Sequence, residues 1–80
     1  MTTIHWVDAQ NNPLTDAVVG IASAPHEVND IGMVTDGNGD ISIDVGASGE
    51  YVFSISHNGQ SHHVSANLNP GDSSTTLVVQ

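Results

Sequence analysis

An all-β domain of seven short strands stacked as a β-sandwich is the fold class this sequence predicts. Three observations predict it. Apolar and polar residues alternate with period two in segment after segment. No stretch of useful length repeats apolar residues at helical spacing. Clusters of turn-forming residues recur about every eight to twelve positions, the rhythm of short sandwich strands.

The expected strands follow in order. Residues 3–8 come first and end at the turn signal Gln10-Asn11-Asn12-Pro13; residues 17–23 carry the inward row Ala17, Val19 and Ile21. Residues 31–35 form the third, closed by Asp36-Gly37-Asn38-Gly39. In residues 40–45, Ile41, Ile43 and Val45 point one way and Asp40, Ser42 and Asp44 the other. Gly46-Ala47-Ser48-Gly49 then leads into residues 50–57. Asn58-Gly59 suits a two-residue type I′ turn, because both positions need positive φ. That turn sets the register with residues 60–68: His57 opposite Gln60, Ile55 opposite His62, Phe53 opposite Val64, Tyr51 opposite Ala66. Ser54, Ser56, Ser61, His63 and Ser65 fall on the other, wet face. A slip by one residue would push the aromatic ladder into water. Asn69-Pro70-Gly71-Asp72 precedes the last strand, residues 74–79. Eighty residues make one domain, 1–80, with no linker.

Charge excludes whole classes of function. The chain has nine acidic residues, no Lys and no Arg, for a formal charge of −9. Without a cation it cannot neutralise phosphates or dock on an anionic leaflet, so neither nucleic acid nor membrane is an expected partner. Arginine fingers, lysine Schiff bases and phosphate-binding loops are absent. With no Cys, disulfides and thiolate chemistry go too. The N-terminus has neither a basic segment nor an apolar run like a signal peptide. Abundant Ser, Thr, Asn and Gly, and a chain with no tryptic site, suit an extracellular, cell-surface or particle-associated location. The expectation is an excised piece of a longer secreted protein or a chain exported within an assembly.

The run Val7-Asp8-Ala9-Gln10-Asn11-Asn12-Pro13-Leu14-Thr15-Asp16-Ala17-Val18-Val19 resembles the opening of transthyretin-like, or carboxypeptidase regulatory-like, domains. Those begin with a strand, a polar turn, then Pro-Leu and an Ala-x-Val strand. Val34-Thr35-Asp36-Gly37-Asn38-Gly39-Asp40-Ile41-Ser42-Ile43 is similar to their Thr-Asp-x-x-Gly-x-Phe hairpin, with Ile41 in the aromatic's place. Gly49-Glu50-Tyr51-Val52-Phe53-Ser54-Ile55 is similar to their Gly-x-Tyr strand, and Gly59 follows where that family has a glycine. The resemblance covers nearly the whole chain and implies a Greek-key sandwich. Its catalytic and covalent members depend on residues this chain lacks. The hydroxyisourate hydrolases need an arginine, the intradiol dioxygenases two Tyr and two His on iron, and the collagen-adhesin B-type repeats a cross-linking Lys. What the resemblance then implies is a non-enzymatic accessory or structural module. Such modules occur on peptidases, adhesins, outer-membrane receptors, secretion spikes and phage particles, where a protein partner or a parent multidomain protein is expected.

Three constellations carry possible chemistry. Asp36, Asn38, Asp40 and Asp44 echo the oxygen ligands of a calcium loop, but Ile41 stands where such a loop has Gly and Ala47 where it has Glu. A plain hairpin turn explains the same letters. The alternative function is weak binding of calcium, the one cofactor suggested, or of carbohydrate through this turn. His57 and His62 are diagonal neighbours at the hairpin's open end, two candidate transition-metal ligands without an evident third; a polar cap on the sandwich is the other reading. His62 and His63 point to opposite faces, and His5 and His26 meet only if the tertiary fold allows. No Gly-x-Ser-x-Gly elbow supports a hydrolase built from Ser, His57 and Asp44. Trp6 is expected in the core. Finally, Thr75, Thr76, Leu77, Val78 and Val79 form an apolar, β-branched, uncharged strand, the segment most in need of a partner strand and the expected interaction edge.

Overall fold

A computed structural model describes residues 1–25 and 32–79 of the chain. Seven strands run in order: β1 (Thr2–Asp8), β2 (Val18–Ser23), β3 (Met33–Val34), β4 (Asp40–Ile43), β5 (Gly49–His57), β6 (Gln60–Leu68) and β7 (Ser74–Val79). They form a three-stranded sheet, β4-β1-β7, and a four-stranded sheet, β3-β2-β5-β6. Every pairing is antiparallel except β1 with β7, which run parallel from Thr3 opposite Ser74 to Asp8 opposite Val79. Ile31, expected to open the third strand, lies outside the described residues, as does His26.

The inward rows of both sheets share one core. Ile4 and Trp6 of β1, Ile41 and Ile43 of β4 and Val79 of β7 pack with Val19 of β2, Tyr51, Phe53 and Ile55 of β5 and Leu68 of β6. Trp6 meets Phe53 across the layers edge to face, with centroids 5.5 Å apart and planes at 86°. Tyr51 stacks on the other flank of Phe53 at 6.4 Å. Such ring pairs each contribute about 0.5–1.5 kcal/mol beyond the area they bury. The result is sandwich-like, with Trp6 at its centre as expected.

The β5–β6 hairpin has the register its turn demands: His57 opposite Gln60, Ile55 opposite His62, Phe53 opposite Val64 and Tyr51 opposite Ala66. Asn58 and Gly59 both adopt positive φ, 52° and 77°. The outer serines of this hairpin are exposed or half-buried, and Ser56 and Ser61 share a hydrogen bond of 3.0 Å.

Departures from strict alternation have local causes. Val7 should face outward, yet it is buried. The loop after β1 folds back over it: Val7 bridges Pro13, and the Leu14 amide donates to the Trp6 carbonyl at 3.0 Å. β2 starts at Val18 because the Ala17 amide donates to the Thr35 hydroxyl rather than to a neighbouring strand. A one-residue bulge interrupts β2 between Ile21 and Ser23. β4 ends at Ile43, two residues short of expectation, although Val45 is still buried.

Candidate functional site

The acidic turn is organised by its own backbone. Asp36 Oδ1 accepts the amides of Asn38 at 2.8 Å and Asp40 at 3.0 Å, and the Gly39 amide donates to the Asp36 carbonyl. These hydrogen bonds, that from Asp40 foremost, hold the Asp36 carboxyl below its ordinary pKa. Asp40 opens β4 opposite His5 of β1, and its Oδ1 lies 2.5 Å from His5 Nδ1. Asp44 lies past the end of β4; four extended residues carry it about 13 Å along the strand from Asp40. Of the four residues singled out for calcium, the fold therefore gathers Asp36, Asn38 and Asp40 in one turn and leaves Asp44 at the other end of β4.

His57 and His62 do share one end of the sandwich. They line a shallow cleft of about 270 Å³ together with Asp8, Leu14, Asn58, Gln60 and Val79. Asp8 comes from the last position of β1 and is the neighbour that sequence reasoning missed. Its pKa is lowered mainly by the Asn12 amide, with help from the Gln10 amide, the Asn12 side chain and the charge of His57 across the cleft. No spacing rule finds this pair, because it exists only once one sheet is stacked on the other. His63, as expected, stands on the opposite, exposed face. Among the described residues, no group of three or more His, Cys, Asp or Glu side chains is placed to hold one metal ion.

The remaining candidate is the set of strand edges. Strand β7 lies on β1 through all of Ser74–Val79, so the expected need for a neighbour is met on one side. Its other side is a margin of the three-stranded sheet. The four margins are unlike. β3 has two residues and β4 four; their connection holds Asp36, Asp40 opens β4, and Asp44 lies just past its end. β6 has nine residues and β7 six, with no Asp, Glu, Pro or Gly in either. Those two bare margins also touch each other, so they lie on one side of the sandwich. Val78, on the outer face of β7, is 47% exposed.

A second shallow depression, about 400 Å³, lies on the outer face of the four-stranded sheet among Val18, Gly20, Gly32, Ser54, Ser56 and His63. Among the described residues, His63 is the one ionisable side chain in its lining. No helix among the described residues is long and apolar enough to cross a membrane. No protein-family model matches the chain, and a search of curated proteins finds no match.

Proposed function

We propose that the chain is a non-enzymatic module of the transthyretin-like kind, with a structural or protein-binding task in a secreted, cell-surface, secretion-spike or phage-type assembly. The observation that carries this reading is the unequal protection of its edges. Natural sheets blunt their margins with short strands, charge, proline or bulges, since a bare margin recruits another strand. Here β3 and β4 are short, with Asp40 in β4 and Asp36 and Asp44 flanking it, whereas β6 and β7 are long and bare along the strands themselves, Pro70 and Asp72 lying only in the connection between them. A chain of net charge −9 had acidic residues to spare for that side.

Topology supports the family reading. β4 returns beside β1 after β2 and β3 have paired in the other sheet, a return to the first strand of the kind a Greek key makes. Nothing in the geometry favours the calcium or carbohydrate alternative, since the turn's best-placed oxygens already accept backbone amides or face His5.

Photocrosslinking in the native source tests the reading. A benzophenone side chain is placed singly at Val34, Ser42, Ser65 and Val78, one on each margin. The expected result is protein adducts from Ser65 and Val78 and none from Val34 or Ser42. Adducts spread evenly over the four positions, or adducts to no protein at all, would overturn it.

A further inference from the structure

The two sheets are unequal, and the inequality opens one side of the sandwich. Over β5 the cover is complete, and Tyr51, Phe53 and Ile55 have no exposed surface. Over β6 it is not. The inward residues His62, Val64 and Ala66 are only half-buried, and so are Thr75 and Leu77 of β7. On the opposite side Thr35, Ile41, Ile43 and Val45 are all buried. The three-stranded sheet stops at β7, where a further strand would lie over the inward face of β6.

Resting on the module reading above, we infer that the free margin of β7 accepts an extended segment of a partner protein whose alternate side chains are apolar and whose ends carry Lys or Arg. Each part of that description has a residue behind it. The backbone of β7 offers about 20 Å of margin, room for five to seven extended residues. Strand addition supplies affinity through main-chain hydrogen bonds, while side chains at alternate positions supply selectivity. Those turned inward would meet Val64, Ala66 and Leu77, which pack on the core from its rim. The surroundings of the margin are acidic: Asp72 precedes β7, Asp8 lies one strand further in, on β1 beside Val79, and the chain's net charge is −9. The chain offers no Lys or Arg of its own, so neither a second copy nor a further turn of this segment supplies the matching cations.

The test uses the intact chain and a synthetic peptide, Lys-Val-Thr-Val-Thr-Val-Lys, followed by amide and methyl NMR. Binding is expected to slow amide exchange along β7 and to shift the methyl signals of Val64, Ala66 and Leu77. A glutamate-ended version should bind at least tenfold more weakly at low salt, with the ratio shrinking as salt rises. N-methylation of alternate amides should abolish binding in one of its two phases. The proposal is overturned by no binding at millimolar peptide, by shifts confined to β3 or β4, or by equal affinity for the glutamate-ended peptide. Concentration-dependent shifts at β7 without peptide would make a second copy the occupant and overturn it as well. Crosslinks from Ser65 and Val78 with no peptide binding would overturn this inference alone and leave the module reading standing.

Discussion

Thr35→Val probes the least expected buried group in the molecule. The Thr35 hydroxyl donates to the Leu14 carbonyl at 2.6 Å and accepts the Ala17 amide at 2.9 Å, and the residue is 2% exposed. Its own amide donates to the Ala17 carbonyl. One side chain thus pins the loop between β1 and β2 to the end of β3. Valine fills the same volume, so packing changes little, but two buried backbone groups lose their partner. An unsatisfied buried polar group costs about 1–3 kcal/mol, so the substitution should cost roughly 2–6 kcal/mol, as two such groups do. For a domain this size each kcal/mol lowers Tm by about 4–8 °C, which places the loss at about 10–50 °C. Thr35→Ser keeps the hydroxyl and gives up one methyl group, for about 1 kcal/mol. Thermal and urea unfolding followed by circular dichroism read both variants. If valine costs less than serine, the hydroxyl is not what holds this corner, and the argument fails.

The other predictions use the same assay. Gly39 and Gly59 have nearly equal φ, +78° and +77°, but a Cβ at Gly39 would sit 2.7 Å from the Trp6 carbonyl oxygen and one at Gly59 would meet nothing within 4 Å. Gly59→Ala should therefore cost about 1–2 kcal/mol of left-handed strain, and Gly39→Ala should cost that plus about 1–3 kcal/mol of overpacking; equal losses would refute the difference. Tyr51→Phe removes the hydrogen bond from its hydroxyl to the Ala47 carbonyl and should cost about 1 kcal/mol, a result that an unchanged urea midpoint would contradict. Asp36 and Asp8 have depressed pKa values in the folded chain. Their contribution is present above the unfolded value near about 3.9 and is lost as pH falls through the folded one. The stability gap between wild type and Asp36→Asn should accordingly be constant from pH 7 to 5 and close below about pH 4; a gap that closes near pH 6 would implicate a histidine instead. Deleting residues 77–80 removes Leu77 and Val79 from the core and half of the pairing with β1, and should abolish cooperative unfolding. A truncated chain that still melts sharply would contradict the place of β7 in the core.

What could be read in advance depended on the range of the interaction. The β5–β6 register follows from Asn58-Gly59, because a two-residue turn leaves one pairing that keeps Tyr51, Phe53 and Ile55 inside. Ile41, Ile43 and Val45 were legible for the same reason, since period two assigns faces. It does not assign neighbours. The parallel contact of β1 with β7 joins the two ends of the chain, and no local pattern encodes it. Thr35 reads as an ordinary polar strand end, and only the folded loop shows that it serves the Leu14 carbonyl and the Ala17 amide. At the candidate site, Thr75–Val79 announced a bare strand by composition. That β6 is equally bare, lies beside it and is incompletely covered depends on sheet order, as does the approach of His57 to Asp8.

Net charge and edge protection act at different ranges, which is why the first cannot stand in for the second. At physiological salt the field of exposed charges fades over about 8 Å, whereas strands pair at a separation of about 4.8 Å. A charge of −9 therefore slows the approach of another acidic chain but does not forbid pairing once two margins meet. Only acids on the margin itself do that, as Asp40 and Asp44 do beside β4, where an antiparallel copy centred on Ser42 would set each against the other. On the β6–β7 side that local penalty is missing while the distant field remains. The field attracts a cation-bearing segment at long range, and at contact the segment meets an uncharged seam of Val64, Ala66 and Leu77. Attraction and fit are then supplied by different residues. Adding a single Glu to β7 would change the fit and leave the attraction almost untouched.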